Sequence, residues 1–213
     1  MSFPAYYEIA PGRYRERFGL PFEDFRVGQV FRHRPGVTLT QQDNCDDTLD
    51  TYNGAQIHFD QRYAAEASWK FPLMVSTLTV QRLVGMAGKT LGCRREVLGF
   101  EEIAMTSPVF GGDTLYAESE VLEVTDGGDP DVGIVTLALR GSKKLGPQSV
   151  PGTKDGQFAN LVCRVEIFRA ARWPAPAGAL GAPAREPRFG AYREEGGVLV
   201  EQRSEEHTSD SSH

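Results

Sequence analysis

A chain of 213 residues, 40% hydrophobic and 24% charged, has the balance of a globular protein and the length for one well-filled core, which excludes disordered and fibrous classes. Its formal net charge is -6 and its lysines and arginines are scattered, so the basic stripe that nucleic-acid backbones require is missing. Neither a basic-then-apolar leader nor a run of about 18 apolar residues occurs, so export and membrane spanning are not expected.

Residues 1–17 are rich in Tyr, Pro and Arg without a period and predict an arm that packs on the domain or on a second subunit. From Phe22 the text becomes β-branched and aromatic, and residues 30–39 predict an edge strand bent at Pro35-Gly36. Thr40 stands as an N-cap for a helix of about three turns ending near Gly54, with Leu49 and Tyr52 as a sparse apolar face. Asp60 is placed to cap a short helix through Tyr63, Ala64, Ala65 and Ala67.

After Pro72, residues 76–89 carry Val80, Leu83, Val84 and Ala87 at helical spacing, and Gly85 and Gly88 predict close approach to a sheet. Four strands are then expected over 97–110, 113–124, 132–140 and 157–168, the last with Leu161, Cys163, Val165 and Ile167 on one face. Strands gathered after a buried helix predict an α+β layout, an antiparallel sheet covering that helix. Beyond Ala171 the chain turns to Pro, Ala, Gly and Arg, and the polar tail 204–213 resembles translated adapter sequence and is set aside. The expected organisation is an arm over 1–17, one domain over 18–170 and an extension over 171–213.

Cys45, Cys93 and Cys163 are odd in number, widely spaced and without a Cys-x-x-Cys pair, so free thiols in a reducing, cytoplasmic compartment are expected. No metal-spaced His/Asp/Glu cluster and no glycine-rich phosphate loop occurs, so neither a metal nor a nucleotide cofactor is expected. Outside the tail only two histidines remain. His33, between Arg32 and Arg34, is expected at a solvated or edge position. His58 follows a helix end and precedes a cap, a place where a histidine is structural or catalytic.

The frame around His58 resembles the MaoC-like hydratases and dehydratases, which carry Asp-x-Asn-Pro-x-His followed by x-Asp. Here it reads Asn53-Gly54-Ala55-Gln56-Ile57-His58-Phe59-Asp60. Pro108-Val109-Phe110-Gly111-Gly112-Asp113-Thr114-Leu115 is similar to the family's Pro-x-x-x-Gly-Asp-x-Leu segment, and the likeness spans roughly residues 20–170. The opening Phe22-Glu23-Asp24-Phe25 and the Asn-x-x-Gln-x-His variant are similar to those of hydratases of short branched dicarboxylic acyl-CoAs, such as itaconyl-, mesaconyl- or β-methylmalyl-CoA. In three places the chain departs: Asn53 replaces the usual aspartate, Ala55-Gln56 the Asn-Pro pair, and Val75-Ser76 the His-Gly that often opens the central helix.

The resemblance implies a hot-dog fold, a homodimer with active sites at its interface, and an acyl-CoA substrate whose coenzyme A is the only cofactor-like group. Hydration of an enoyl thioester needs a base for water at Cβ, a proton for Cα and donors for the thioester oxyanion. His58 can supply the first two in turn, and Asn53 can orient water or imidazole. Asp60, then Asp50 and Asp43, are candidates for a supporting carboxylate, with helix capping the rival role of Asp60. Ser76 and Thr77, at a helix N-terminus, are candidates for the oxyanion or for plain capping. Gln56 binds substrate or caps its loop, and Cys93-Arg94-Arg95 meets CoA phosphates or forms a solvated turn. A hot-dog thioesterase and a non-catalytic acyl-CoA-binding subunit are the alternative functions.

Overall fold

The computed structural model describes residues 5–146, 150, 152–170, 192–195 and 198–201. The chain forms two units, 1–173 and 174–213. In the second, the described residues form a hairpin of their own within the predicted extension, Tyr192–Glu195 against Val198–Glu201. The tail 204–213 lies outside the described residues.

In the first unit, Tyr6–Ala10 (β1) pairs with Arg13–Glu16 (β2), so the predicted arm is a hairpin. Pro11-Gly12 makes the turn, with Gly12 at a φ of 71° and its N–H donating to the Glu8 carboxylate at 2.7 Å. Five longer strands follow: Val30–Thr38 (β3), Arg94–Met105 (β4), Thr114–Asp126 (β5), Val132–Lys144 (β6) and Gly156–Phe168 (β7). They form one antiparallel sheet in the order β3-β5-β6-β7-β4. Between β3 and β4 lie Gln41–Asp50 (α1), Gln61–Glu66 (α2) and Ser76–Met86 (α3).

Alternation along the strands explains the core. Leu161, Cys163, Val165 and Ile167 of β7, with Leu137 and Leu139 of β6, are all buried on one face. Against that face α3 brings Leu78 and Leu83, followed by Ala87 beyond its last turn, and the helix touches β3, β5 and β6. Each fully buried leucine contributes about 1.5–3 kcal/mol. An antiparallel sheet around one helix is the hot-dog arrangement. Gly85 and Gly88 do not serve the close approach predicted for them, because a Cβ at either would meet open space. No helix among the described residues is long and apolar enough to cross a membrane.

His33 corrects the solvated part of its expectation. Its strand is the sheet edge, but alternation turns the side chain inward, where it is 6% exposed. Its Nε2 lies 2.9 Å from Ser119 Oγ and its Nδ1 3.3 Å from Thr90 Oγ1. Burial holds the imidazole below its ordinary value, with the Glu118 carboxylate pulling the other way.

Candidate active site

Two turns closed by side chains present His58. On the entry side, α1 begins with Thr40 and Asp43 in a reciprocal capping box and ends near Thr51. Asn53 then closes a tight turn, its Oδ1 accepting from Ala55 N at 3.0 Å. A single 3-10 turn over Gln56–His58 follows. On the exit side Asp60 Oδ1 accepts from Arg62 N at 2.9 Å and Tyr63 N at 3.0 Å, capping α2.

The ring of His58 has a defined proton. Its Nδ1 lies 2.7 Å from the Leu73 carbonyl oxygen, which can only accept, so Nδ1 carries the hydrogen of that bond, and in the neutral ring Nε2 then keeps the lone pair.

What holds Leu73 is a cluster that the sequence did not disclose. Leu73 N donates to Ile57 O at 3.0 Å, and Met74 N to Val109 O at 2.9 Å. Asn44, on α1 and wholly buried, donates from Nδ2 to His58 O at 2.7 Å and to Leu73 O at 3.0 Å, while its Oδ1 accepts from Val75 N at 2.8 Å. Gln41 Nε2 adds a second bond to His58 O at 2.7 Å. The 108–113 segment is anchored by a buried ion pair. Lys143 Nζ lies 2.7 Å from Asp113 Oδ2 and 2.5 Å from Pro108 O, and the same Asp113 oxygen accepts from Phe110 N. Gly112, at a φ of 96°, lets the chain turn back onto this carboxylate.

Two cavities flank the paired segments. One, of about 270 Å³, is walled by Trp69, Leu73, Ser76, Thr79, Met105 and Val109 among others. The other, of about 400 Å³, includes Gln41, Gln61, Lys70, Phe71, Phe110 and Val150. Among the described residues neither wall contains an arginine.

The remaining expectations divide. Ser76 is exposed, lines the smaller cavity and opens α3, whose N-cap Val75 makes no side-chain cap, so the first-turn N–H groups lack intrahelical partners. Thr77 also opens α3, but its hydroxyl donates to Asp47 Oδ2 at 3.1 Å. Gln56 is exposed, and among the described residues its side chain makes no hydrogen bond. Neither Asp50 nor Asp43 is brought to the imidazole by a hydrogen bond, Asp43 being used in the capping box. Arg95 is not free for a phosphate, because it is paired with Asp129 at 2.5 Å and Glu166 at 2.6 Å. Burial pushes the Cys93 thiol up to about 12 and the Cys163 thiol to about 11, which disfavours the thiolates a nucleophile needs. Among the described residues no group of His, Cys, Asp or Glu could hold a metal.

An antiparallel sheet around one helix, with His58 held by the Leu73 carbonyl just before that helix, agrees with a hot-dog protein of the MaoC-like class. Within that class, the family model for mesaconyl-CoA hydratase matches residues 8–165, and the chain belongs to this family. A mesaconyl-CoA hydratase of Cereibacter sphaeroides is 27% identical over 135 residues, covering 63% of this chain and 38% of that protein. A β-methylmalyl-CoA dehydratase of Chloroflexus aurantiacus is 24% identical over 123 residues, covering 57% and 35%. The chain thus spans little more than a third of these relatives. A MaoC domain protein of Chloroflexus aurantiacus superposes with a TM-score of 0.66 at 20% identity, covering 79% of this chain and 46% of that one.

Proposed function

We propose that this chain adds water to an enoyl-CoA thioester, or removes it from a 3-hydroxyacyl-CoA, with His58 as the acid–base group. The observation that carries the reading is the Nδ1–H bond to the Leu73 carbonyl, which leaves Nε2 as the base. In hydration, Nε2 takes a proton from water as its oxygen bonds to Cβ, and the π electrons move onto the thioester oxygen. The N–H groups at the start of α3, beginning with Ser76, meet that oxyanion at the positive end of the helix. The enolate collapses, Cα takes the proton from Nε2, and the imidazole returns to its starting form. Dehydration runs the same steps in reverse.

Asn53 cannot carry a proton, and in this mechanism its carboxamide orients water or imidazole while its oxygen shapes the turn that delivers His58. Gln56 contributes a substrate contact, Thr77 a backbone N–H, and Asp60 acts as the cap that holds the exit turn. No metal or separate cofactor enters these steps, and coenzyme A is the handle of the substrate. A short branched dicarboxylic acyl group agrees with the family match. We place the protein in the cytoplasm as a homodimer. Edge strand β4 exposes Leu98, Phe100, Ile103 and Met105, and pairing with a second copy would cover it.

The test is loss of enoyl-thioester absorbance across a panel of monocarboxylic and dicarboxylic enoyl-CoAs, run beside a thiol reagent. Loss of the double bond without release of thiol is the expected result. Release of thiol would make the protein a thioesterase, and tight binding with neither change, which the exchange of aspartate for Asn53 would then explain, a binding subunit.

A further inference from the structure

Asn44 has no exposed surface and so cannot touch a substrate, and apart from a longer contact of its Nδ2 with Gln41 Oε1 at 3.3 Å its carboxamide is spent on the backbone around His58. Its two N–H groups point at the carbonyls of His58 and Leu73, and its oxygen takes the N–H of Val75. The Leu73 carbonyl receives both this bond and the one from the His58 imidazole. One side chain on α1 therefore ties together two places in the chain: the 3-10 turn carrying His58, and the 73–75 stretch that supplies the carbonyl on its ring and opens α3.

We propose that Asn44 is a positioning residue for the reaction, fixing the tautomer and direction of His58 and its placement relative to the first turn of α3. The inference rests on the reading of His58 as the acid–base group. Without Asn44, His58 O keeps its bond from Gln41, but Leu73 O and Val75 N lose their link to α1. The turn carrying His58 is then tied to the start of α3 only by the Leu73 N–H bond to Ile57 O and by the imidazole bond to Leu73 O, and displacement by about 1 Å costs roughly 10²-fold in rate.

The experiment compares Asn44→Ala and Asn44→Asp with Val165→Ala, a core truncation on β7 away from the site. Thermal unfolding, kcat and KM are measured on an enoyl-CoA, and the His58 tautomer is read by ¹⁵N imidazole resonances assigned with His58→Ala. Both Asn44 variants are expected to lose roughly 10²-fold in kcat with a smaller change in KM, and to show mixed tautomers. Val165→Ala is expected to lose stability while keeping wild-type kcat and the single Nδ1–H form.

Folded Asn44→Ala with wild-type kcat and a single Nδ1–H tautomer overturns the proposal, as does a loss of kcat that Val165→Ala reproduces. So does a wild-type His58 found as the Nε2–H tautomer, a result that needs no variant to fold. If the wild type turns over no enoyl-CoA, the functional reading fails by itself, while the tautomer comparison still decides the role of Asn44.

Discussion

The inner face of the sheet is buried while the loops that carry His58 are only partly so, and the two are held together by different physics. Between β5, β6, β7 and α3 the contacts are apolar and non-directional, built from Leu78, Leu83, Leu115, Leu137, Leu139 and Leu161. Around residues 41–75 and 108–113, position is set by single polar groups: the Asn44 carboxamide, the Asp113–Lys143 pair and the Leu73 carbonyl. Apolar packing tolerates a change of shape by repacking, whereas a buried polar group that loses its partner has no substitute. Damage to the sheet should therefore appear as stability, and damage to the loops as turnover.

The sharpest way to break the contrast is Lys143→Ala, which leaves Asp113 charged, buried and without its cation. A loss of about 3–5 kcal/mol in urea unfolding is expected, together with lower turnover, because the 108–113 segment is freed. Leu137→Ala in the sheet should cost about 2–5 kcal/mol but leave kcat per folded molecule unchanged. Thr40→Ala removes the reciprocal cap of α1 and should cost about 1 kcal/mol, with a mild fall in turnover through Asn44 on the same helix.

The smallest effect concerns pH. His33 takes a proton near 6.5 in the unfolded chain but only at lower pH when folded, since burial disfavours its charged form. Stability should thus fall as pH drops below about 6.5 towards the lower folded value. Urea midpoints at neutral and mildly acidic pH should show this for the wild type and a flatter response for His33→Asn.

Much of the fold was legible because it follows from short-range patterns. The alternation of Leu161, Cys163, Val165 and Ile167 marked β7, and Thr40 with Asp43 marked the start of α1. The His58 turn was legible because Asn53 and Asp60 act on neighbours within three residues. Asn44 was not, because its partners His58, Leu73 and Val75 lie 14 to 31 residues away and a lone polar residue on a helix reads as exposed. The one hint was the sparse apolar face of α1, which left a polar residue to fill the buried side. Asp113 was visible as part of a motif, but its partner Lys143 lies 30 residues further on, on another strand. The ion pairs of Arg95 were hidden for the same reason, because Asp129 and Glu166 lie 34 and 71 residues further along.

Whether His58 carries both proton transfers is decided by the turnover of a dicarboxylic and a monocarboxylic enoyl-CoA by wild type and by His58→Ala, with folding of both checked by circular dichroism. A fall in kcat of roughly 10²–10⁴-fold is expected, the range for a positioned acid–base group, with Asn53→Ala losing less. A folded His58→Ala protein with undiminished turnover would contradict it.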